Sequence, residues 1–505
     1  MKSMSKTILL MSMLVMLICC VSAVSATDAD NITVPDDTDV IELDDTVDSV
    51  EEVESEGIDD TVDGVNNQQN LRGTNINGDT NIGNYFDSTT GVLLSTAGNT
   101  LTFGGDFYKT SYNYSNFIIN RAVTINANTT DAPTLHDMGF QLIANGITLN
   151  GLTFDINAPS GENCYAIDIE NANNVDVINN KITYTCGSAN AAYYNYVIKV
   201  MDSENVTIDN NTITASLPLK DVDYSNYPNG FPGISYDHVA GVAVENASKF
   251  KFTNNVLNVT GHIRGGYYPT LDALLVIKSP NSLIEGNKIY EQDNVTAAEE
   301  TNYLYAVDIY QCDNLTIRSN KIELNSGSGN LTVNGTGGAY GIQLTGGHTG
   351  ILIENNNITT ANNGPNLGIY SQNTAGKTNL TIKGNIIKVT GRAGTHPWAL
   401  VSGIELQDTY ANVCSNTIDV TNLGTYNANN YLFGISYCQP TSGNHTYIIC
   451  NNTVRVPGGE WAVYLDGVVN SKVICNHLKA RGLHWGDNAV YMTGTNNTKS
   501  NNTNV

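Results

Sequence analysis

Residues 166–182 read AIDIENANNVDVINNKI, and this stretch contains the pattern that decides the fold. Apolar and polar residues alternate in short runs, and Asn, Gly or Ser interrupts each run. Alternation with a period of two is typical of strands joined by turns and not of a helix. Copies of the stretch recur downstream and align on ten Asn residues: Asn180, Asn211, Asn255, Asn287, Asn320, Asn356, Asn385, Asn416, Asn452 and Asn476.

Each copy keeps one apolar residue three positions before its aligned Asn and another two positions after it. Around Asn180 these residues are Val177 and Ile182, and around Asn320 they are Ile317 and Ile322. One copy is too short to bury such residues alone, whereas strands stacked about 4.8 Å apart bury each residue against its equivalents. We therefore expect two aliphatic columns inside a solenoid.

The residue before each aligned Asn is Asn, Gly, Ser or Cys. Asn and Gly tolerate a left-handed backbone, so this position is expected to turn the chain between two strands. The aligned Asn can hydrogen-bond to its equivalent one coil away and form a ladder. We therefore interpret it as structural and not catalytic.

This pattern resembles the right-handed parallel β-helix repeats of pectate-lyase-like enzymes, copper-maturation repeat proteins and carbohydrate-binding or sugar-hydrolase surface proteins. The resemblance covers about Asn99 to Met492. Together with the abundance of Asn and Thr, the chain is most similar to the adhesin-like surface proteins of methanogenic archaea. The resemblance implies an all-β, right-handed parallel β-helix, but such a fold supports many activities.

Both ends of the chain differ from the repeats. Residues 1–26 combine Lys2 and Lys6, an apolar run and the sequence Ala23-Val24-Ser25-Ala26, which is typical of a secretory signal peptide. Residues 27–72 carry sixteen acidic residues against Arg72 alone and predict a solvated, disordered spacer. The expected β-helix is 73–494 and the expected polar tail is 495–505.

The formal net charge of the chain is -25. This charge repels phosphate backbones and anionic headgroups, so binding to nucleic acid or to a membrane surface is not expected. No later segment resembles a membrane span. The predicted location is extracellular or at the cell surface.

Outward positions on the first strand of each copy form a polar and aromatic column. Its members are Asp168, Lys199, Ala243, Leu275, Asp308, Gln343, Tyr370, Glu405, Ser436, Tyr464 and Tyr491. A second aromatic set precedes these strands and includes all three Trp residues: Tyr165, Tyr196, Tyr305, Tyr340, Trp398, Phe433, Trp461 and Trp485.

Aromatic faces beside polar side chains suit sugars. The predicted ligand-binding residues are Trp398, Trp461, Trp485, Tyr370, Tyr464, Glu405 and Asp308. The alternative interpretation, given equal weight, is that these rings cover loop backbone or stack as a structural ladder.

The sequence offers weaker grounds for catalysis. Asp168 and Glu170 lie two residues apart on one strand face, about 7 Å from each other, a separation that an inverting glycosidase pair could use. Carboxylates with this spacing also occur on any solvated strand, and Asp168 with Lys199 could form an exposed ion pair. No His or Cys spacing indicates zinc, so neither a metal nor a cofactor is expected.

Seven Cys residues follow the signal segment, an odd number. Cys414 and Cys450 both lie two residues before an aligned Asn in neighbouring copies, so stacking would bring them within disulfide range. Free thiols are the alternative.

The resulting expectation is a secreted or cell-surface adhesin-like protein that binds a carbohydrate or a cell-envelope polymer, or an envelope component without glycan affinity. A polysaccharide lyase or glycoside hydrolase of pectate-lyase-like fold is the alternative.

Overall fold

The computed structural model describes residues 74–78, 81–158, 165–186, 195–221, 238–264, 270–293, 303–326, 338–373, 379–395, 399–408, 410–425, 427–438 and 444–505. Three long sheets run through these residues, and every pair of neighbouring strands within them is parallel. Each coil contributes one strand to each sheet in turn, as Ile167–Glu170, Val175–Ile178 and Lys181–Cys186 show. The parallel β-helix expected from the repeats is confirmed.

We call the sheets 1, 2 and 3 in the order in which a coil visits them. The 13 strands of sheet 1 are Asn116–Ile119, Gly139–Leu142, Ile167–Glu170, Asn195–Met201, His238–Glu245, Thr270–Ile277, Tyr303–Tyr310, Ala339–Thr345, Asn366–Gln372, Val401–Gln407, Leu432–Tyr437, Val463–Val469 and Val490–Thr495. The 15 strands of sheet 2 are Thr74–Asn77, Thr100–Gly104, Val123–Ala127, Ile147–Asn150, Val175–Ile178, Val206–Asp209, Lys251–Thr253, Leu283–Glu285, Thr316–Arg318, Ile351–Glu354, Leu380–Lys383, Tyr410–Cys414, Thr446–Cys450, Lys472–Ile474 and Thr498–Ser500. The 13 strands of sheet 3 are Asp106–Tyr108, Thr134–His136, Thr153–Ala158, Lys181–Cys186, Thr212–Asp221, Val256–Arg264, Lys288–Asp293, Lys321–Ser326, Asn357–Ala361, Ile386–Gly391, Thr417–Asn422, Thr453–Arg455 and His477–Lys479.

Short 3-10 turns lie at Ile82–Asn84, Lys109–Ser111 and Gly486–Ala489. Among the described residues, no helix is long and apolar enough to cross a membrane.

The two predicted aliphatic columns lie inside the solenoid. Val177 pairs in register with Ile208, and Ile208 pairs with Phe252, while Ile182 pairs with Ile213 in sheet 3. All of these side chains are fully buried. Stacked burial of this kind contributes about 1.5–3 kcal/mol per aliphatic side chain, which offsets part of the entropy lost on ordering each coil.

The aligned Asn residues form the predicted ladder. The backbone N–H and side-chain Nδ2 of Asn320 both donate to Oδ1 of Asn356, at 2.9 and 3.0 Å. Nδ2 also donates to the carbonyl oxygen of Ile284 on the preceding coil, at 2.9 Å. The same set of bonds recurs from Asn180 to Asn476. These buried amides are therefore fully used in holding coils together.

The residue before each ladder Asn adopts the left-handed backbone expected of it. Its φ is 59° at Asn179, 57° at Ser319 and 57° at Cys475. All ten predicted positions share this conformation, which turns the chain from sheet 2 into sheet 3 within two residues.

The predicted ends of the chain have different outcomes. The signal segment 1–26 and the acidic spacer 27–72 lie outside the described residues. Residues 495–505, expected as a polar tail, instead take part in the solenoid, because Thr498–Ser500 pairs with Lys472–Ile474. Asn502 adds a further rung to the ladder by accepting from Asn476. The sequence did not indicate this strand because Thr498–Ser500 contains no aliphatic residue.

Candidate functional site

The outward column lies on sheet 1 in unbroken register. Asp168 pairs with Lys199, and the pairing continues through Ala243, Leu275, Asp308, Gln343, Tyr370, Glu405, Ser436 and Tyr464 to Tyr491. The repeat therefore brings side chains that are far apart in sequence onto one face of the solenoid.

Much of this outward column is buried. Asp308 is 3% exposed and Glu405 is 0% exposed, whereas Tyr370, Tyr464 and Tyr491 are half-buried. Asp308 accepts a hydrogen bond from Nε2 of Gln343 at 3.2 Å. Of the predicted ligand-binding residues, the two carboxylates thus lie beneath the surface, and the accessible part of the column is its aromatic part.

Glu405 lies in a polar network under the aromatic residues. Its carboxylate accepts from the hydroxyl of Ser436 and, at 3.4 Å, from the backbone N–H of Cys438. Ser436 in turn lies 2.9 Å from the hydroxyl of Ser402. Burial raises the pKa of Glu405 to about 7, although the bonds from Ser436 and Cys438 act in the opposite direction.

Asp168 and Glu170, the two carboxylates considered for catalysis, both contact the side chain of Lys199. Nζ of Lys199 lies 3.3 Å from Oδ1 of Asp168 and also contacts Oε1 of Glu170. The pair predicted between Asp168 and Lys199 therefore exists, but it is not exposed, since Asp168 is 5% accessible. Burial raises the pKa of Asp168, and the charge of Lys199 opposes that rise. Lys199 therefore contacts both carboxylates of the considered pair.

Aromatic rings stack along the solenoid at its C-terminal end. Phe433 lies 4.6 Å from Tyr464 with 23° between the ring planes, and Tyr464 lies 4.6 Å from Tyr491 with 9° between them. Trp461 packs beside this stack, 5.6 Å from Tyr491 and 5.0 Å from His484. Because stacked faces are occupied by neighbouring rings, a ligand at this stack meets ring edges and the remaining surface of Trp461.

An open cavity of about 430 Å³ adjoins the stack. Phe433, Trp461, Tyr464 and Tyr431 form its aromatic side. The remaining described lining residues are Thr395, Ala428, Asn429, Asn430 and Glu460. Its volume lies within the range of about 300–1,000 Å³ that is usual for small-molecule sites.

A short turn shapes the polar side of the cavity. Oδ1 of Asn427 accepts the backbone N–H of Asn429 at 3.0 Å, and the carbonyl oxygen of Asn427 accepts that of Asn430 at 3.0 Å. The backbone N–H of Tyr431 then donates to the carbonyl oxygen of Gly394 at 2.9 Å. These bonds fix the loop against the preceding coil and hold Asn429 and Asn430 at the cavity.

Several polar groups of the lining are available to a ligand. Within the described residues, the indole N–H of Trp461, the hydroxyls of Tyr431 and Tyr464 and the amide of Asn429 make no hydrogen bond. Burial raises the pKa of Tyr464 to about 12, so its hydroxyl is a neutral donor at physiological pH. The cavity thus combines aromatic surface with uncharged donors and acceptors.

Two other predicted residues that the structure describes, Trp485 and Tyr370, do not line this cavity. Trp398 lies outside the described residues. Trp485 is 47% exposed and pairs with Lys479 through an isolated antiparallel bridge. Tyr370 lies farther along sheet 1, where its ring is 5.7 Å from that of Tyr340. Of the two Trp residues that the structure describes, Trp461 lines the cavity and Trp485 does not.

Sequence reasoning missed Tyr431, Asn429, Asn430 and Glu460. These residues lie in irregular segments that precede strands of sheet 1, where no repeat aligns them. The run Asn427-Ala428-Asn429-Asn430-Tyr431, which ends in an aromatic residue just before a strand, was the available signal.

Cys414 and Cys450 form the disulfide that the stacking allowed, with their Cα atoms 4.7 Å apart on adjacent coils. Cys312 and Cys438 are buried thiols, and Cys475 is exposed. In the described part of the chain, no group of three or more His, Cys, Asp or Glu residues is placed to hold a metal ion.

Comparisons with known proteins find low overall similarity to solved structures. No family model matches the chain, and no curated protein matches it. A solved structure of PfbA, a surface adhesin of Streptococcus pneumoniae, is 14% identical, with 79% of this chain and 85% of that chain covered and a TM-score of 0.40. The Dettilon tailspike protein (gp208) is 15% identical, with 78% of this chain and 62% of that chain covered and a TM-score of 0.37. Similarity at this level carries no information about ligands.

Proposed function

We propose that this chain is an exported, adhesin-like surface protein that binds a glycan in the cavity beside Trp461. The observation that carries the proposal is the cavity itself, where aromatic surface adjoins polar groups without partners among the described residues. Sugars present both apolar C–H faces and hydroxyls, so a site of this composition matches both parts of their surface.

Export is the part of the proposal that rests on sequence. The segment 1–26 has the three regions of a secretory signal, and the composition of the acidic segment 27–72 is that of a solvated spacer. A solenoid stiffened by a buried amide ladder suits a protein that must present a binding surface outside the cell.

Glycan-array binding by the full chain tests the proposal. We expect binding to at least one glycan, and Trp461→Ala is expected to weaken it by about tenfold or more, because the largest aromatic surface of the cavity is lost. Trp461 also packs against His484 and Tyr491, so Asn429→Ala serves as a second variant. Asn429 is exposed and makes no side-chain bond among the described residues, so its removal leaves the fold intact while weakening binding.

Trp485→Ala is the matched control, since Trp485 is an exposed Trp of the same end of the solenoid but does not line the cavity. This variant should bind within about twofold of the wild type. The proposal fails if no glycan binds, as expected of a purely structural envelope component, or if neither Trp461→Ala nor Asn429→Ala weakens binding.

A further inference from the structure

We infer that the cavity beside Trp461 accepts an uncharged sugar unit and discriminates against uronic acids and other anionic sugars. This inference rests on the proposed glycan binding and specifies its ligand class. It follows from the chemistry of the described lining residues, which offer hydrogen bonds to hydroxyls but no positive charge to pair with a carboxylate.

The described lining contains no Lys, Arg or His. Proteins that bind carboxylates or sulfates usually pair them with Arg or Lys, because charge-assisted bonds are about twice as strong as neutral ones. The groups available here are the indole N–H of Trp461, the hydroxyls of Tyr431 and Tyr464 and the amide of Asn429. All four are neutral, and the high pKa of Tyr464 keeps its hydroxyl protonated.

Glu460 is the one charged residue among the described lining residues. Its backbone carbonyl oxygen accepts a hydrogen bond from Nδ1 of His484 at 2.6 Å, which fixes the main chain next to Trp461. A sugar carboxylate placed about 6 Å from the Glu460 carboxylate would be bound about tenfold more weakly than the neutral sugar, taking an effective dielectric constant of about 40.

A cationic side chain, that of Arg481, lines a separate cavity that also contacts Glu460. Arg481 lines a neighbouring cavity of about 370 Å³ with Glu460, Gly482, Leu483 and His484. Glu460 therefore lines both cavities. Arg481 could in principle pair with an anionic sugar. The variant Arg481→Ala tests whether it does.

The experiment measures binding of the full chain to matched oligosaccharides that differ only in oxidation at C6. The probes are tetramers of glucose and glucuronate, of galactose and galacturonate, and of mannose and mannuronate, each pair with one linkage. We expect the neutral member of any binding pair to bind at least about tenfold more tightly. Glu460→Gln should narrow that ratio, and Arg481→Ala should leave the ratio unchanged.

Three results would overturn the inference. Equal or tighter binding of a uronate by the wild type contradicts it directly, and so does a ratio that Glu460→Gln does not change. Loss of uronate binding in Arg481→Ala would assign an anion to the neighbouring cavity. If Trp461→Ala abolishes binding while a uronate binds as tightly as its neutral partner, the proposed function stands and this inference alone fails; if no probe or array glycan binds, both fail.

Discussion

Oδ1 of Asp487 accepts both the backbone N–H of Asn502, at 3.3 Å, and its side-chain Nδ2, at 2.6 Å. At every earlier rung these two donors are bound by Oδ1 of the Asn on the next coil, as for Asn476 and Asn502 themselves. Asp487 therefore supplies the acceptor that a further coil would supply. The turn Gly486–Ala489, which carries it, closes the ladder.

Asp487→Ala should loosen the last coil and leave the rest of the solenoid unchanged. Two donors of Asn502 lose their acceptor, and each unpaired buried group costs about 1–3 kcal/mol. Hydrogen exchange should become faster at residues 498–503 and stay constant around Asn320. Asp487→Asn keeps the oxygen acceptor and should exchange like the wild type, so equal loosening by both variants would contradict the capping role.

Asn320→Ala should destabilise the protein by roughly 3 kcal/mol or more. The variant removes the acceptor for Asn287 and the donor to Ile284, leaving buried polar groups unpaired on the preceding coil. The shift of the denaturation midpoint measures the effect. Asn325→Ala, an exposed Asn on the next strand of the same coil, is the control and should change stability by less than about 0.5 kcal/mol. Comparable losses in the two variants would show that the ladder bonds contribute little.

Because of Glu405, the free energy of unfolding should decrease as the pH rises. Its pKa in the folded protein is about 7, above the ordinary value of 4.5, so the folded chain keeps a proton that the unfolded chain releases between these values. The shift corresponds to roughly 3 kcal/mol of stability, present below pH 4.5 and lost by about pH 7. Glu405→Gln cannot ionise and still accepts from Ser436, so it should remove this contribution.

Chemical denaturation at pH 5 and pH 8 checks the prediction for Glu405. The difference in unfolding free energy between the two pH values should be smaller in Glu405→Gln than in the wild type, whereas Glu204→Gln, at an exposed site, should retain the wild-type difference. An identical pH dependence in wild type and Glu405→Gln would contradict the raised pKa.

Glu291→Leu should stabilise the protein. Glu291 is 2% exposed and occupies an interior column between Val259 and Leu324, and its carboxylate oxygens have no hydrogen-bond partner among the described residues. Burial, with the nearby charges of Asp272 and Asp293, raises its pKa well above the ordinary value. Replacing such a group by an aliphatic one removes the cost of an unsatisfied buried polar group, about 1–3 kcal/mol.

The gain from Glu291→Leu should grow as the pH rises above 4.5, because the unfolded wild type releases a proton that the folded state retains. Thermal unfolding at pH 4 and pH 7 measures it. Glu323→Leu, on the outward face of the next coil, is the control and should change stability by less than about 0.5 kcal/mol. A destabilised Glu291→Leu would show that the carboxyl is needed inside.

The interior of this fold could be predicted from sequence because every coil repeats the same aliphatic positions and the same turn. Val177 and Ile182 have equivalents in each copy, and the left-handed turn before each ladder Asn recurs with them. Glu291 was detectable by the same alignment, since it lies four residues after Asn287, where other copies place Ala215 or Val259. Glu291 was missed because the alignment followed only the two columns at three residues before and two residues after each ladder Asn.

For the outward side chains of sheet 1, the sequence predicts which residues pair between neighbouring strands. It does not predict how exposed these side chains are to solvent. Alternation along a strand shows that Asp308 and Glu405 point away from the core. It does not show whether other segments cover them, and those segments do not repeat. The cavity depends on Asn429, Asn430 and Glu460, which come from such irregular segments, so its position became visible only in three dimensions.

The ladder has a consequence for how this molecule comes apart. One amide, that of Asn320, ties its own coil to both the coil before and the coil after, so an interior coil cannot open without breaking bonds that belong to its neighbours. Local unfolding should therefore begin at the two ends of the ladder. Under mechanical tension or proteolysis, the coils should unfold one after another from these ends towards the middle.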